Sequence, residues 1–229
     1  MNTIYPIASV AELIGEPARA AVLVALLDGR SLTAGELALI ANVSAQSASA
    51  HLSKMVAGGL LKVRSSGRHR YYSLAGPDVA YAMEALGAIA TLPRLSAAPQ
   101  SQSDLEIRKA RSCYDHLAGR IAVEMVKALE TSKVIGISDD RDYELGRNGR
   151  SWFSNLGIDT DALQRSRRSF ARQCLDWTER RPHLAGALGA ELCARTLALG
   201  WFAKQRNKRA LRVTHKGTRE LRARFGISA

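Results

Sequence analysis

"SLTAGELALIANVSAQSASAHLSKMVAGGLLKVRSSGRHRYYSLA", residues 31–75, decides the fold of the first part of the chain. Thr33 and Glu36 make a capping box, in which each side chain satisfies a backbone N–H left free at a helix start. A short helix, Glu36 to Ala41, follows, and Asn42-Val43 turns the chain. Ser44 is an N-cap for a further helix that Gly58-Gly59 stops. On it Ala48, Leu52, Met55 and Val56 recur at helical spacing as an apolar stripe. Gln46, Ser47, Ser49, Ala50, Ser53 and Lys54 fall on or near the opposite face. A solvated face is ordinarily richer in Glu and Lys. Compact hydrogen-bonding groups suit a helix that enters a major groove and reads base edges. "LLKVRSSGRHRYYSLA" then sets two strand-like runs around Ser65-Ser66-Gly67, a hairpin with Arg68, His69 and Arg70 at a basic tip.

Upstream, "IASVAELIGEPARAAVLVALLDG" (7–29) reads as two short helices. Val10, Leu13 and Ile14 share one face, and so do Val22, Leu23, Leu26 and Leu27. Gly15-Glu16-Pro17 separates them, with Pro17 suited to a first helical turn. Helix, turn, helix and basic hairpin together make a winged helix-turn-helix. Its second helix lies in the major groove and its wing reaches phosphates or the minor groove.

"VSAQSASAHLSKM" followed by "GRHRYYSL" resembles the ArsR/SmtB group of bacterial repressors, and the resemblance covers residues 8–91. It implies a homodimer paired through its first and last helices, double-stranded operator DNA as partner, and release of DNA when an effector binds. It also implies DNA contacts from Ser44, Gln46, Ser47, Ser49 and His51. Lys54 and the wing residues Arg68, His69 and Arg70 complete the candidate DNA-binding set. Metal-sensing members carry Cys-x-Cys in the helix corresponding to "GELALIAN", or Asp and His ligands in the helix corresponding to "AYAMEALGAIA". This chain has neither, and Glu84 is the one possible ligand in its helix. No metal is expected at the usual places, and no cofactor.

The whole chain has 229 residues with 46% hydrophobic, enough for one large domain or two small ones. No apolar run reaches the length of a membrane span, so no membrane partner is expected. The first residues lack a basic start followed by an apolar block, unlike a secretory signal. The cysteine count is 3, which suits a reducing cytoplasm better than a disulfide framework. The net charge of +12 favours a polyanion partner, nucleic acid first. Residues 1–91 hold 7 Lys and Arg against 6 Asp and Glu, whereas residues 150–229 hold 17 against 6. The excess therefore belongs to the last third. "TLPRLSAAPQSQSD" reads as a linker. The expected organisation is a DNA-binding domain at 1–91, a linker at 92–104 and a sensing domain at 105–229.

The second part is written twice. "RSCYDHLAGR" (111–120) returns as "CLDWTERRPHLAGALG" (174–189), and "DYELGRNGRSWFSNLGI" (142–158) matches "ALRVTHKGTRELRARFGI" (210–227). The pattern predicts a duplicated helix–hairpin–helix, winged-helix-like, at about 108–158 and 167–227, with "TDALQRSRRSFARQ" as a helix leading into the second copy. The fold class is mainly α with short β-hairpins (α+β). A shared core and a pocket between the halves are expected. The plain reading of the repeated residues is architectural: Cys113 and Cys174 pack as small hydrophobes, and Asp115 caps a helix starting at His116.

Three functional readings stand beside it. Cys113, His116, Cys174 and His183 could hold a soft metal or metalloid, although no Cys-x-x-Cys supports it. Cys113 and Cys174 could form a redox pair, activated by Arg111 and Arg172. Trp177 with Arg180 and Arg181 could take an aromatic or anionic ligand, bound bidentately. The candidate effector set is therefore Cys113, Asp115, His116, Cys174, Asp176, Trp177, Arg180, Arg181 and His183, for an unknown small molecule. Lys204, Arg206, Lys208 and Arg209 form a basic hairpin expected to touch flanking DNA. There is no Gly-rich phosphate loop, Gly-x-Ser-x-Gly or His-Glu-x-x-His, and Asp139-Asp140 reads as a solvated turn. The leading expectation is a non-enzymatic, cytoplasmic repressor released by an effector. A thiol redox or metalloid sensor is the alternative, and an enzyme with a DNA-anchoring module the third reading.

Overall fold

The computed structural model describes residues 7–89, 102–139, 141–205 and 209–228. Most of the linker, Asp140, Arg206 and Lys208 lie outside the described residues. The chain divides after Met83 into two compact units.

The first unit runs α1 (Ile7–Ile14), α2 (Pro17–Ala25), β1 (Leu32–Thr33), α3 (Ala34–Ala41), α4 (Ala45–Ala57), β2 (Leu61–Ser66), β3 (His69–Leu74) and the start of α5 (Pro77–Ile89). Local chemistry sets most boundaries. Glu16 accepts from the backbone N–H groups of Ala18 and Arg19 and caps α2, whose first residue is Pro17. The Arg19 guanidinium donates to the carbonyls of Leu13 (2.6 Å) and Glu12 (2.8 Å), satisfying the end of α1. Thr33 and Glu36 cap α3 reciprocally, and Asn42 ends it in the left-handed region at φ 52°. Ser44 accepts from Ser47 N–H at the start of α4. Most of the expected stripe is buried: Ala48, Leu52 and Met55 of α4 join Val22, Leu23, Leu26 and Leu37 in the core, while Val56 is only partly buried. The strands form an antiparallel sheet of order β1-β3-β2.

The second unit runs α6 (Gln102–Lys109), β4 (Arg111–Cys113), β5 (His116–Ala118), α7 (Arg120–Thr131), β6 (Ile135–Ile137), β7 (Tyr143–Leu145) and α8 (Gly149–Ser154). It continues through α9 (Thr160–Gln164), β8 (Arg172–Leu175), β9 (Pro182–Ala185), α10 (Gly186–Ala198), β10 (Phe202–Lys204), β11 (Leu211–Val213) and α11 (His215–Phe225). The duplication is real, but the unit is hairpin–helix–hairpin–helix. The expected opening helix is present in both copies, as α7 and α10, but it starts three or four residues later than expected and a β-hairpin precedes it. "HLA" is strand each time, and the helix begins at or just after the glycine that follows: Gly119 precedes the first residue of α7, and Gly186 opens α10. His116, Leu117 and Ala118 are all buried, so the run lacks the alternation that separates strand from helix. Gly119 and Gly186 sit at φ 88° and 80°. A Cβ there would come within 2.7 Å of Arg108 O and 2.8 Å of Ser169 O, respectively. Asp115 accordingly caps no helix; it lies in the β4–β5 turn. "TDALQRSRRSFARQ" is helical only through Gln164, beyond which the chain bends towards β8.

The two copies exchange strands. Ala210, just before β11 of the second copy, bridges to Arg111 of β4, and Asp142, just before β7 of the first, bridges to Arg172 of β8. Leu211 N–H donates to Ala110 O and Tyr143 N–H to Ala171 O, both at 2.9 Å. Each Cys-His hairpin thus extends the other copy's second hairpin, giving a pseudo-twofold arrangement. α7 and α10 supply one core with Ile121, Met125, Leu129, Leu188 and Leu192, closed by Phe153, Trp201 and Leu221. Between the halves an open depression of about 660 Å³ lies along α7 and the end of α11, lined by Arg120, Glu124, Lys127, Arg224 and Phe225, but the core itself is filled. Between Leu117, Met125, Leu184 and Leu192 the cavity measures about 10 Å³, far below the few hundred of a ligand site.

Candidate functional site

In the first unit, α4 presents Gln46, Ser47, Ser49, Ala50, Ser53 and Lys54 to solvent, opposite its buried stripe. Arg68, His69 and Arg70 are exposed at the β2–β3 tip. Two candidates are otherwise engaged. The Ser44 hydroxyl holds the cap and lies 3.0 Å from Ser47 Oγ. His51 turns towards the α2 cap, with Nδ1 3.6 Å from Glu16 Oε2.

In the second unit, tertiary pairing gathers residues that the sequence separates. Cys113 lies across from His116 on the β4–β5 hairpin, and Cys174 across from His183 on β8–β9, in matching register. The pseudo-twofold brings the two pairs face to face. The ligating atoms of Cys113, His116, Cys174 and His183 all lie within 4.8 Å of one another, and all four residues are buried. His116 Nε2 stands 3.1 Å from His183 Nε2. Each ring turns its other nitrogen to its own copy's carboxylate. His116 Nδ1 is 3.2 Å from Asp115 Oδ1, and His183 Nδ1 is 3.2 Å from Asp176 Oδ2. The second contact is off hydrogen-bond alignment.

Outer partners hold both carboxylates. Arg168 donates to both oxygens of Asp115, at 2.6 and 3.1 Å. Asp176 Oδ2 accepts from Arg111 Nη2 at 3.0 Å and from Gly119 N–H at 2.6 Å. The wholly buried Arg111 also lies 3.5 Å from Glu84 Oε2 and spreads over the Trp177 ring at 5.0 Å. Glu84 in turn accepts from Arg209 Nη2 at 2.5 Å.

These surroundings tune the groups. Burial pushes the Cys113 thiol up to about 12, so without a cation it is a poor nucleophile. For His183, burial opposes protonation, but Asp176 and the Cys113 sulfur outweigh it and raise the imidazole to about 9. His116 moves upward too, with burial opposing and Cys113 and Asp115 favouring its charged form. Burial would raise Asp115, but His116 and Arg168 bring it down to about 2. Burial likewise opposes the ionised form of Asp176, yet His183 and Arg111 hold its carboxyl far below the usual range. The environment therefore favours positive charge between the imidazoles. Two thiols and two imidazoles ringed by carboxylates are donors suited to a soft or borderline divalent metal.

A family model described as "MarR family" matches residues 16–70. The "Uncharacterized HTH-type transcriptional regulator YdfF" of Bacillus subtilis (strain 168) is 41% identical over 211 residues, covering 92% of this chain and 93% of its own. The chain belongs to the HTH-type transcriptional regulators. An alignment of that length runs through both units. Among solved structures, the homodimeric winged helix-turn-helix DNA-binding domain of a possible ArsR-family regulator from Mycobacterium bovis aligns at 26% identity. It covers 42% of this chain and 88% of that one, with a TM-score of 0.36. The cadmium metal-sensor CMTR from Mycobacterium tuberculosis aligns at 30% identity over 41% and 94%, with a TM-score of 0.31. The family model that matches is thus the MarR family, where the sequence motifs resemble ArsR/SmtB. Among the described residues no helix is long and apolar enough to cross a membrane.

For this regulator the structure divides the candidate effector residues into two groups. Cys113, Asp115, His116, Cys174, Asp176 and His183 form one constellation. Trp177 flanks it through Arg111. Arg180 and Arg181 do not join: both are exposed in the β8–β9 turn, and Trp177 already stacks against Arg111. The basic-hairpin expectation fails at Arg209, which is 8% exposed and bound to Glu84. Sequence reasoning missed Glu84, Arg111 and Arg168 as partners. No spacing signals such pairs, since Glu84 and Arg209 stand 125 residues apart.

Proposed function

We propose that this regulator is a homodimeric, operator-reading repressor of the ArsR kind, with α4 in the major groove, the wing on the backbone, and the second unit carrying the release signal. The observation that carries this reading is the α4 surface. Its exposed side is nearly free of charge and lined by Gln46, Ser47, Ser49 and Ser53, while arginines cluster at the wing tip. Short polar side chains reach base edges without long-range charge attraction, whereas arginines supply the sequence-independent grip. Pairing through α1 is supported by its surface: none of its residues is buried, and Ile7 is 72% exposed.

The test is a footprint on DNA flanking the regulator's own gene, followed by binding to that site and to random DNA. Gln46→Ala and Ser49→Ala are expected to weaken specific binding by ~1–3 kcal/mol for each base edge left unread and to leave random DNA nearly unchanged. Equal losses on both DNAs would remove base readout from α4.

A further inference from the structure

We propose that Cys113, His116, Cys174 and His183 bind one divalent metal ion of the zinc class in a closed tetrahedral S2N2 site that joins the two copies of the duplicated unit. This develops the soft-metal reading of these four residues, away from the usual places where no metal is expected, and it stands whether or not the first unit represses transcription.

Four independent features converge. The first is donor geometry. Tetrahedral zinc with Zn–S near 2.3 Å and Zn–N near 2.0–2.1 Å sets its ligand atoms about 3.3–3.8 Å apart. The four donors here already lie within 4.8 Å of one another, so small side-chain rotations close the shell.

The second is the direction of the imidazoles. Each Nδ1 faces a carboxylate, so the proton of a neutral ring belongs on Nδ1. Both Nε2 lone pairs then point into the same space, 3.1 Å apart. Two lone pairs at that separation repel unless a proton or a metal lies between them. A carboxylate behind each ring is the outer arrangement that orients metal-bound histidines and raises their basicity. Both copies supply it: Asp115 in one, Asp176 in the other.

The third is charge. Cys113, His116 and His183 are 0% exposed and Cys174 is 5% exposed. A buried centre with net charge is costly. Two thiolates cancel a divalent ion, and Arg168 and Arg111 balance the carboxylates behind. A monovalent ion leaves an uncompensated negative charge, and a metalloid that takes three thiolates finds two in the cluster. Binding is balanced in protons: each cysteine thiol loses one to solvent as its sulfur joins the metal, and no oxidant is needed.

The fourth is closure. Four protein ligands with no exposed face leave no open position for water or substrate, which is the arrangement of structural rather than catalytic zinc. The ligands come as one Cys-His pair from each hairpin, so the metal closes the pseudo-twofold interface.

The experiment uses the full chain, purified under reducing conditions, stripped with a chelator and titrated with Co2+ and then Zn2+. The expected result is saturation at one equivalent, with intense tetrahedral d–d bands and thiolate-to-cobalt charge transfer, both erased by Zn2+. A folded, reduced protein giving no charge transfer, or only the weak bands of octahedral cobalt, overturns the proposal. So does a metal-free protein whose mass shows Cys113 and Cys174 joined by a disulfide, with two thiol hydrogens lost to an oxidant. Cys113→Ser and Cys174→Ser are expected to lose the charge-transfer band in proportion to the sulfurs removed. Since a buried ligand variant can fail to fold, Asp115→Ala provides a second arm. Asp115 is a positioning residue in a half-exposed turn. Its loss is expected to weaken Zn2+ binding about 10–100-fold while keeping the tetrahedral cobalt spectrum. Unchanged affinity in that variant would overturn the role given to the carboxylates.

Discussion

Two residue-scale features of the duplicated unit give sharp expectations. Gly119 and Gly186 occupy equivalent places where strand passes into helix. Each combines a left-handed φ with backbone carbonyls where a Cβ would go. Gly186→Ala is expected to destabilise by more than about 1 kcal/mol, because neither the backbone nor the carbonyls can give way. Gly200→Ala is the control: its φ is 73°, but nothing lies within 4 Å of its Cβ position. Urea unfolding should show the larger loss at Gly186; equal losses would locate the cost in φ alone. Arg111 is the second feature. Its guanidinium is wholly buried between Asp176 and Glu84. Arg111→Ala strands Asp176 without its buried cation and is expected to cost about 3–5 kcal/mol. A loss below about 1 kcal/mol, on the scale of surface pairs, would mean that water enters and replaces the cation. The guanidinium also stacks on Trp177, so lysine, a compact point charge, should rescue poorly.

At the scale of elements, α4 and the wing do different work and should fail differently. Ser44 caps α4 through Ser47 N–H. Ser44→Ala should therefore lower the stability of the first unit by about 1 kcal/mol through the freed N–H. It should affect specific and random DNA alike, since its hydroxyl is spent on the helix. A change confined to operator DNA, with stability intact, would make Ser44 a base-reading residue instead. Arg68 stands exposed at the β2–β3 tip. Arg68→Ala is expected to reduce the slope of log K against log salt by about one unit for each phosphate the side chain neutralises. An unchanged slope with full affinity would show the wing free of DNA. The cap, the capping box of α3 and the glycine-ended hairpin were all legible in the sequence, because each is a contact between residues two to four apart. The β4–β5 and β8–β9 hairpins were not. A three-residue strand buried on both faces carries no alternation, and "HLAG" followed by an apolar-periodic run reads as continuous helix.

For the whole molecule, the metal proposal predicts a change in stability. A ligand held only by the folded chain stabilises it by ~2.7 kcal/mol at a hundredfold excess over Kd and ~4.1 kcal/mol at a thousandfold. Chelator-treated protein should therefore unfold at lower temperature than zinc-loaded protein, and readdition of Zn2+ should restore the midpoint. Identical midpoints under reducing conditions would count against a metal that joins the copies. The sequence by itself determined the winged helix-turn-helix, the exposed polar face of α4, the duplication, and even the four residue types Cys113, His116, Cys174 and His183 as one possible donor set. Helix caps, hydrophobic period and repeated motifs are properties of neighbouring residues, and neighbours are what a linear chain displays. Tertiary structure alone decided which reading of the motif holds. The exchange of strands through Arg111↔Ala210 and Asp142↔Arg172 brings the two Cys-His pairs face to face. It also buries Arg111 and Arg209 against acids distant in sequence and closes the core between Leu117, Met125, Leu184 and Leu192. Those outcomes depend on how two hairpins pack about a pseudo-twofold axis, and packing between distant segments leaves no period or spacing in the chain.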